Sequence, residues 1–315
     1  MKTIPVRAVQ VGEPDGAPAS EPPGWSLRWL VVAPHRIGFF AAACMLAVSA
    51  LWWGTALLSR AVGHELPWAV APPAAHALLM GLSFTPLFIA GFLFTAGPKW
   101  LGEPAVDARM LCRPILLMLA GWCIVLPGLH LAAPWAAAGM VLVAGGWSRL
   151  CWRFLAILRA SRVPDRSHAQ VVATACMVGA VTMWVVVGAL AGSDLTLLRA
   201  ATQVALWCFV ATVFVAVSHR MIPFFSASAL PALDAWRPMW LLWTMVAALW
   251  GEAFAAVAAL GWGPLPFWLR GMQAAIELPV AVLLLWLALR WGVVQSLKIR
   301  MLAMLHAGFL WLGLA

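Results

Sequence analysis

The chain has 315 residues, 64% of them hydrophobic and only 10% charged, where soluble domains carry roughly 25% charged residues. That leaves too little polar surface to cover a water-soluble globule, so the composition reads as an all-α, polytopic helical membrane protein whose first partner is the lipid bilayer. The 20 Lys and Arg outnumber the 11 Asp and Glu, but they fall between apolar runs, which excludes a nucleic-acid partner and points instead to membrane orientation.

Residues 1–35 hold five prolines before Val32 and mixed charges without a long apolar core. They read as a flexible cytoplasmic tail rather than a cleavable signal peptide, with a single transmembrane domain over 36–315. The first apolar run, Ile37–Leu58, is then a signal-anchor helix. Further runs follow at 74–97, 112–130, 135–151, 170–192, 200–218, 238–260 and 272–292. A ninth starts near Arg300 and reaches Ala315. Its length of ~24 Å falls short of the ~30 Å hydrocarbon core. The expectation is therefore about nine transmembrane helices, the last cut short.

A cytoplasmic N-terminus places all but three of the 20 basic residues on the inside, leaving only Arg60, Arg199 and Arg270 outside. That distribution obeys the positive-inside rule. Trp52, Trp68, Trp100, Trp135, Trp147, Trp236 and Trp262 sit near run ends, where an indole finds both apolar chains and a hydrogen-bond acceptor.

Six cysteines occur without any C-x-x-C spacing, which argues against c-type haem attachment and zinc ribbons. Most lie in apolar runs and read as small buried hydrophobes. Tyrosine is absent, which excludes a tyrosyl radical and a His–Tyr cross-linked oxidase centre.

Ionisable groups inside the membrane are costly and therefore candidates for function. The topology places His64, His76 and His130 at the outer ends of helices. It places His35, His219 and His306 at or just within inner ends, and His168 in an arginine-rich inner loop, where solvation is expected. Two histidine sets on opposite faces would suit two haem or metal sites, although run ends are also where polar residues belong. Met80 follows His76 by one helical turn, so imidazole and thioether share a face that suits haem iron or copper(I). His130 joins them as a metal candidate on the outer side. Pro86 is expected to kink this helix, and Gly81, Gly91 and Gly97 to permit close backbone approach. Glu252 and Glu277 lie within apolar runs, with Gln273 one turn before Glu277. These three form a candidate proton or ion path, unless Arg270 or backbone donors satisfy the carboxylates.

The stretch His76-Ala-Leu-Leu-Met80-Gly81, continued by Ile89-Ala-Gly-Phe-Leu-Phe-Thr95-Ala-Gly-Pro-Lys-Trp100-Leu-Gly102, resembles the signature of the NnrS family. So do Arg220-Met-Ile-Pro223-Phe224-Phe225-Ser226 and Leu305-His306-Ala-Gly308-Phe-Leu-Trp311, in matching order from about residue 35 onward. The resemblance implies a bacterial inner-membrane protein with haem b and copper, tied to the nitric oxide response through nitrosative stress protection or denitrification. It implies no established catalytic turnover. His76 and His306 are the ligands it suggests, and Arg220 a donor for a haem propionate or a phospholipid head group. His219 is a further cofactor candidate from this sequence itself. About twelve spans are implied, so a later motif rich in His, Gly and Thr is expected beyond the ninth. Ala77 stands where the family has Glu, and Ser218-His219 where it has Gly-Gly. The competing readings are a permease with a Glu/Gln path and an assembly partner for a respiratory enzyme.

Overall fold

The computed structural model describes residues 26–230, 232–263 and 265–314. The proposed tail at 1–25 lies outside these. A 3₁₀ turn at Leu27–Val31, capped by the Ser26 hydroxyl accepting from the Arg28 amide, leads into α1, Pro34–Ala61. Then come α2 (Pro72–Leu82), α3 (Thr85–Trp100), α4 (Arg109–Leu131), α5 (Ala133–Ala160) and α6 (Ser167–Ala191). Next are α7 (Leu195–Val204), a π-helical stretch at Ala205–Ala211, and α8 (Thr212–Ala229). The chain continues through α9 (Met239–Trp262), α10 (Phe267–Arg290), the short α11 (Val293–Ser296) and α12 (Arg300–Leu314).

Among the described residues there are eight helical segments long and apolar enough to cross a membrane, α2–α3 and α7–α8 each counting as one. The fifteen-residue α12 is a shorter apolar helix. The protein is a polytopic helical membrane protein, as the composition requires.

Two segments differ from unbroken helices. The second span breaks at Ser83 and Phe84, ahead of Pro86, and α3 restarts at Thr85. Pro86 has no amide to offer the Leu82 carbonyl one turn earlier, so the helix loses its bond there rather than merely bending. Ser83 and Thr85 take up local partners: the Ser83 hydroxyl bonds Ser49 Oγ at 2.9 Å, and Thr85 Oγ1 donates to the Gly81 carbonyl. The sixth span passes through the π-helical stretch, where Thr212 Oγ1 donates to the Trp207 carbonyl at 2.9 Å.

Small residues let neighbouring helices touch backbone to backbone. A Cβ on Gly38 of α1 would sit 2.4 Å from the Gly91 Cα of α3, and Gly121 and Gly139 bring α4 against α5 in the same way. Gly97 accommodates the Phe154 ring, whereas Gly81 faces open space. Such contacts serve helix association where lipid removes the hydrophobic drive.

The main apolar cluster joins α1 to α7, the π-helical stretch and the first half of α8 with the start of α9. A second cluster packs Val215 and Ile222 of α8 against Leu241 and Met245 of α9, Leu284 and Leu287 of α10, Trp291, and Phe309 of α12. Alternating passage of the spans puts the starts of α1, α4, α6, α9 and α12 on one side with the ends of α3, α5 and α10. This side is the N-terminal face. The other is the opposite face.

Candidate functional site

On the opposite face, His130 near the end of α4 has both ring nitrogens committed. Its Nε2 accepts from Trp52 Nε1 at 2.9 Å, so its Nδ1 carries the proton and donates to the Pro67 carbonyl at 2.7 Å. Trp68 lies against the same imidazole with centroids 4.4 Å apart. A metal would have to displace one of these bonds, so the structure gives His130 the role of a clasp between α1, α4 and the loop that precedes α2. His76 is different. Its ring stacks on Trp53 at 4.2 Å, and its buried Nδ1 has no protein partner. Met80 follows one turn later on α2, and both side chains are partly buried.

On the N-terminal face the structure brings together residues from four spans. His219 on α8 is fully buried. Its Nε2 lies 3.2 Å from the Pro238 carbonyl at the start of α9. A carbonyl only accepts, so Nε2 of the neutral ring carries the proton and Nδ1 is left as an acceptor. The partner of Nδ1 is His168 Nε2 at 2.9 Å, and the two rings stack with centroids 5.2 Å apart. His168 must therefore donate through Nε2, and its Nδ1 is a bare lone pair, buried and without a donor. His219 has no nitrogen to spare for a metal, whereas His168 has one.

This corrects the expectation for His168. It is 4% exposed rather than solvated, because α6 begins at Ser167, three residues before the apolar run. From that start, His168, Val172, Ala175 and Gly179 form one buried stripe at helical spacing. The signal was present: extending the apolar stripe back by one turn reaches the histidine.

His306 on α12 is fully buried, with Nε2 3.0 Å from Ser226 Oγ of α8 and Nδ1 unpartnered. Phe309 lies one turn further along α12 and packs on Trp291 with centroids 5.0 Å apart, and Trp291 in turn meets His219 edge-on. His76 and His306 belong to different parts of the molecule. The first lies against α1 on the opposite face, the second against α8 in the smaller apolar cluster. The structure does not bring these two histidines together.

Arg220 follows His219, and its guanidinium lies 5.1 Å from the centroid of Trp100 at the end of α3. Arg237 donates through Nη1 to the Arg220 backbone carbonyl. In the loop between α5 and α6, Asp165 accepts from the Ser167 amide, and that bond holds its carboxyl below the usual aspartate range.

Glu252, Gln273 and Glu277 do meet. The Gln273 amide donates to Glu252 Oε2 at 2.9 Å and to Glu277 Oε1 at 2.6 Å, bridging α9 and α10 near their middles. Both carboxylates line a cleft of about 410 Å³ shared with Trp207, Met245, Leu284 and Gly313. Arg270 is not their partner; among the described residues the ion pair is Arg290 with Asp234 at 3.0 Å. No group of three or more His, Cys, Asp or Glu side chains converges for a metal among the described residues. Cys151, Cys176 and Cys208 are buried and unpaired, consistent with packing roles.

The chain matches the family model described as NnrS protein over residues 30–315. Neither the curated proteins nor the solved structures hold a match. The family match spans every helix from α1 to α12, including the broken second span with His76, the α8 segment with Arg220, and α12 with His306. The chain belongs to the NnrS family.

Proposed function

We propose that this is a haem-containing protein of the bacterial inner membrane that acts in the response to nitric oxide, with its N-terminus in the cytoplasm. The observation that supports it most is chemical. His306 is fully buried yet keeps one ring nitrogen without a protein partner, and His76 keeps another. Burying an unsatisfied imidazole nitrogen costs roughly 1–3 kcal/mol, a cost that a bound ligand would relieve; among the described residues His35 and His168 carry the same kind of unpartnered nitrogen. The donor set fits haem iron or copper, both of which take imidazole. His76 with Met80 offers the mixed nitrogen and sulfur donors that copper(I) accepts.

When bound, haem iron or copper would supply a centre able to take nitric oxide as a ligand. The chain's own residues would do the rest. Ser226 fixes the His306 ring from its other nitrogen, the arrangement by which outer residues orient a metal-ligating histidine. Phe309, one turn further along α12, packs on Trp291, and Trp53 stacks on the His76 ring. The cytoplasmic orientation rests on the distribution of Lys and Arg.

The test is a reduced-minus-oxidised optical spectrum of the purified chain and of its His306→Ala and His76→Ala variants. Haem b bands that weaken in either variant support the reading. A colourless wild type, after expression with ample haem, overturns it.

A further inference from the structure

Glu252 ends an apolar stripe on α9, and Glu277 begins one on α10. Met245, Leu249 and Glu252 recur at helical spacing, as do Glu277, Ala281 and Leu284, and all of these line the same cleft. The two helices run in opposite directions, so both carboxyls lie at one end. Hydrocarbon extends about 10 Å from them toward the N-terminal face. The π-helical stretch and α12 supply further wall through Trp207 and Leu312. A volume of about 410 Å³ is that of a small-molecule site.

The carboxyl end is short of positive charge. Gln273 donates to Glu252 Oε2 at 2.9 Å and to Glu277 Oε1 at 2.6 Å, which holds both acids at one nitrogen but brings no charge. The amide takes one oxygen of each, so each keeps a second oxygen as an acceptor. Among the described residues neither carboxyl forms a salt bridge. Two like charges this close repel strongly in a medium of low dielectric, and a cation beside them removes that cost. A bare metal ion asks for oxygen ligands on several sides, whereas the rest of this wall is hydrocarbon and indole. A cation carried on an apolar body matches both ends of the cleft.

We propose that this cleft binds a lipophilic amine, its nitrogen at Glu252 and Glu277 and its hydrocarbon body along Met245, Leu249, Ala281 and Leu284. The neutral amine crosses lipid without charge. On arrival its lone pair takes the proton of one neutral carboxyl. An N–H bond forms as an O–H bond breaks, and the ammonium stays beside the carboxylate it created. Charge-assisted hydrogen bonds then hold the nitrogen. Gln273 is a positioning residue, keeping the two acids together for one ligand atom. Carboxyls and not imidazoles carry this site, so it does not depend on the haem reading.

The test is equilibrium dialysis of 1-aminoadamantane and of 1-adamantanol, which share one apolar cage, against the purified chain in micelles and against micelles alone. The expected result is a preference of about tenfold for the amine. It should vanish in the Glu252→Gln/Glu277→Gln double variant while the alcohol still binds. Ala281→Trp, which fills the cleft and leaves both acids, should weaken both probes. The exposed Glu65 lies on a loop of the opposite face, and Glu65→Gln should keep the preference. Equal binding of the two probes by the wild type makes the cleft a slot for lipid chains and overturns the site. Binding of neither probe overturns it as well, and both results stand even if the double variant fails to fold. So does a preference that persists in a folded double variant, survives unchanged in Ala281→Trp, or disappears in Glu65→Gln. No haem spectrum enters this comparison, so a colourless protein overturns the haem reading and leaves this one to be decided by the amine.

Discussion

His168 donates to His219 across 2.9 Å, although 51 residues separate them, and the bond ties the start of α6 to the middle of α8. Replacing His219 by Ala removes the acceptor for His168 Nε2 and the donor to the Pro238 carbonyl together. Leaving buried polar groups unsatisfied costs roughly 1–3 kcal/mol each. Thermal unfolding in detergent should therefore fall clearly for His219→Ala and less for His219→Gln, whose amide can still donate. Identical unfolding temperatures for the two variants would show that the relay is not what joins these helices.

His130 and His306 should separate cleanly in a cofactor assay. Both nitrogens of His130 are occupied, by Trp52 and by Pro67, so His130→Ala should lower stability by about 1–3 kcal/mol while leaving haem absorbance per folded protein unchanged. His306→Ala should remove absorbance. Equal loss from both would mean that His130 gives up its protein partners to a metal.

Gly38 and Gly54 lie on the same helix but in opposite circumstances. A methyl group at Gly38 collides with the Gly91 backbone, whereas at Gly54 it meets nothing within 4 Å. Gly38→Ala should destabilise by roughly 1–3 kcal/mol through forced separation of α1 and α3. Gly54→Ala should be neutral or stabilise by about 0.5–1 kcal/mol, because alanine loses less backbone freedom in a helix. Chemical denaturation in mixed micelles measures both.

The Gln273 bridge offers a third stability test. Gln273→Leu leaves Glu252 and Glu277 without their shared donor near mid-membrane, where ionised groups are costly. The expected loss is about 1–3 kcal/mol, and Gln273→Glu, which adds a third carboxyl, should be worse. An unfolding temperature unchanged by Gln273→Leu would show that the two carboxyls hold each other without the amide.

Asp165 gives a pH dependence with a definite sign. Its folded carboxyl titrates below the ordinary aspartate range because it accepts from the Ser167 amide. The bond therefore stabilises the folded chain above the unfolded value and is lost as pH falls through the lower, folded one. The Ser167 amide resonance should report a midpoint below that of an unfolded-state peptide. A midpoint at or above the peptide's would contradict the bond.

Most of the span pattern could be read from apolar runs alone, because lipid demands about 20 apolar residues per crossing and the chain supplies them in blocks. The Gln273–Glu277 pairing was equally visible, since four residues make one helical turn. Three features were not. The break at Ser83 lies ahead of Pro86 because a proline's missing amide is felt one turn upstream, where hydropathy is uniform. His168 lies just before the apolar run at 170–192 and beside Arg159, Arg162 and Arg166, whose charge argues for a solvated loop unless the buried stripe is followed back one turn. The division of the histidines into committed and free depended on long-range partners: Trp52 for His130, Pro238 for His219. No local spacing encodes those.

The π-helical stretch at Ala205–Ala211 governs how α8 is aimed. A wider turn absorbs an extra residue, and one residue corresponds to about 100° of rotation about an α-helix axis. His219 and Ser226, seven residues apart and on one side of α8, therefore owe their azimuth to that surplus residue. Deleting a single apolar position between 205 and 211 would convert the span to uniform α-helix and swing both side chains together. His168 and His306 would then lose their partners in one step, without any change to a polar residue.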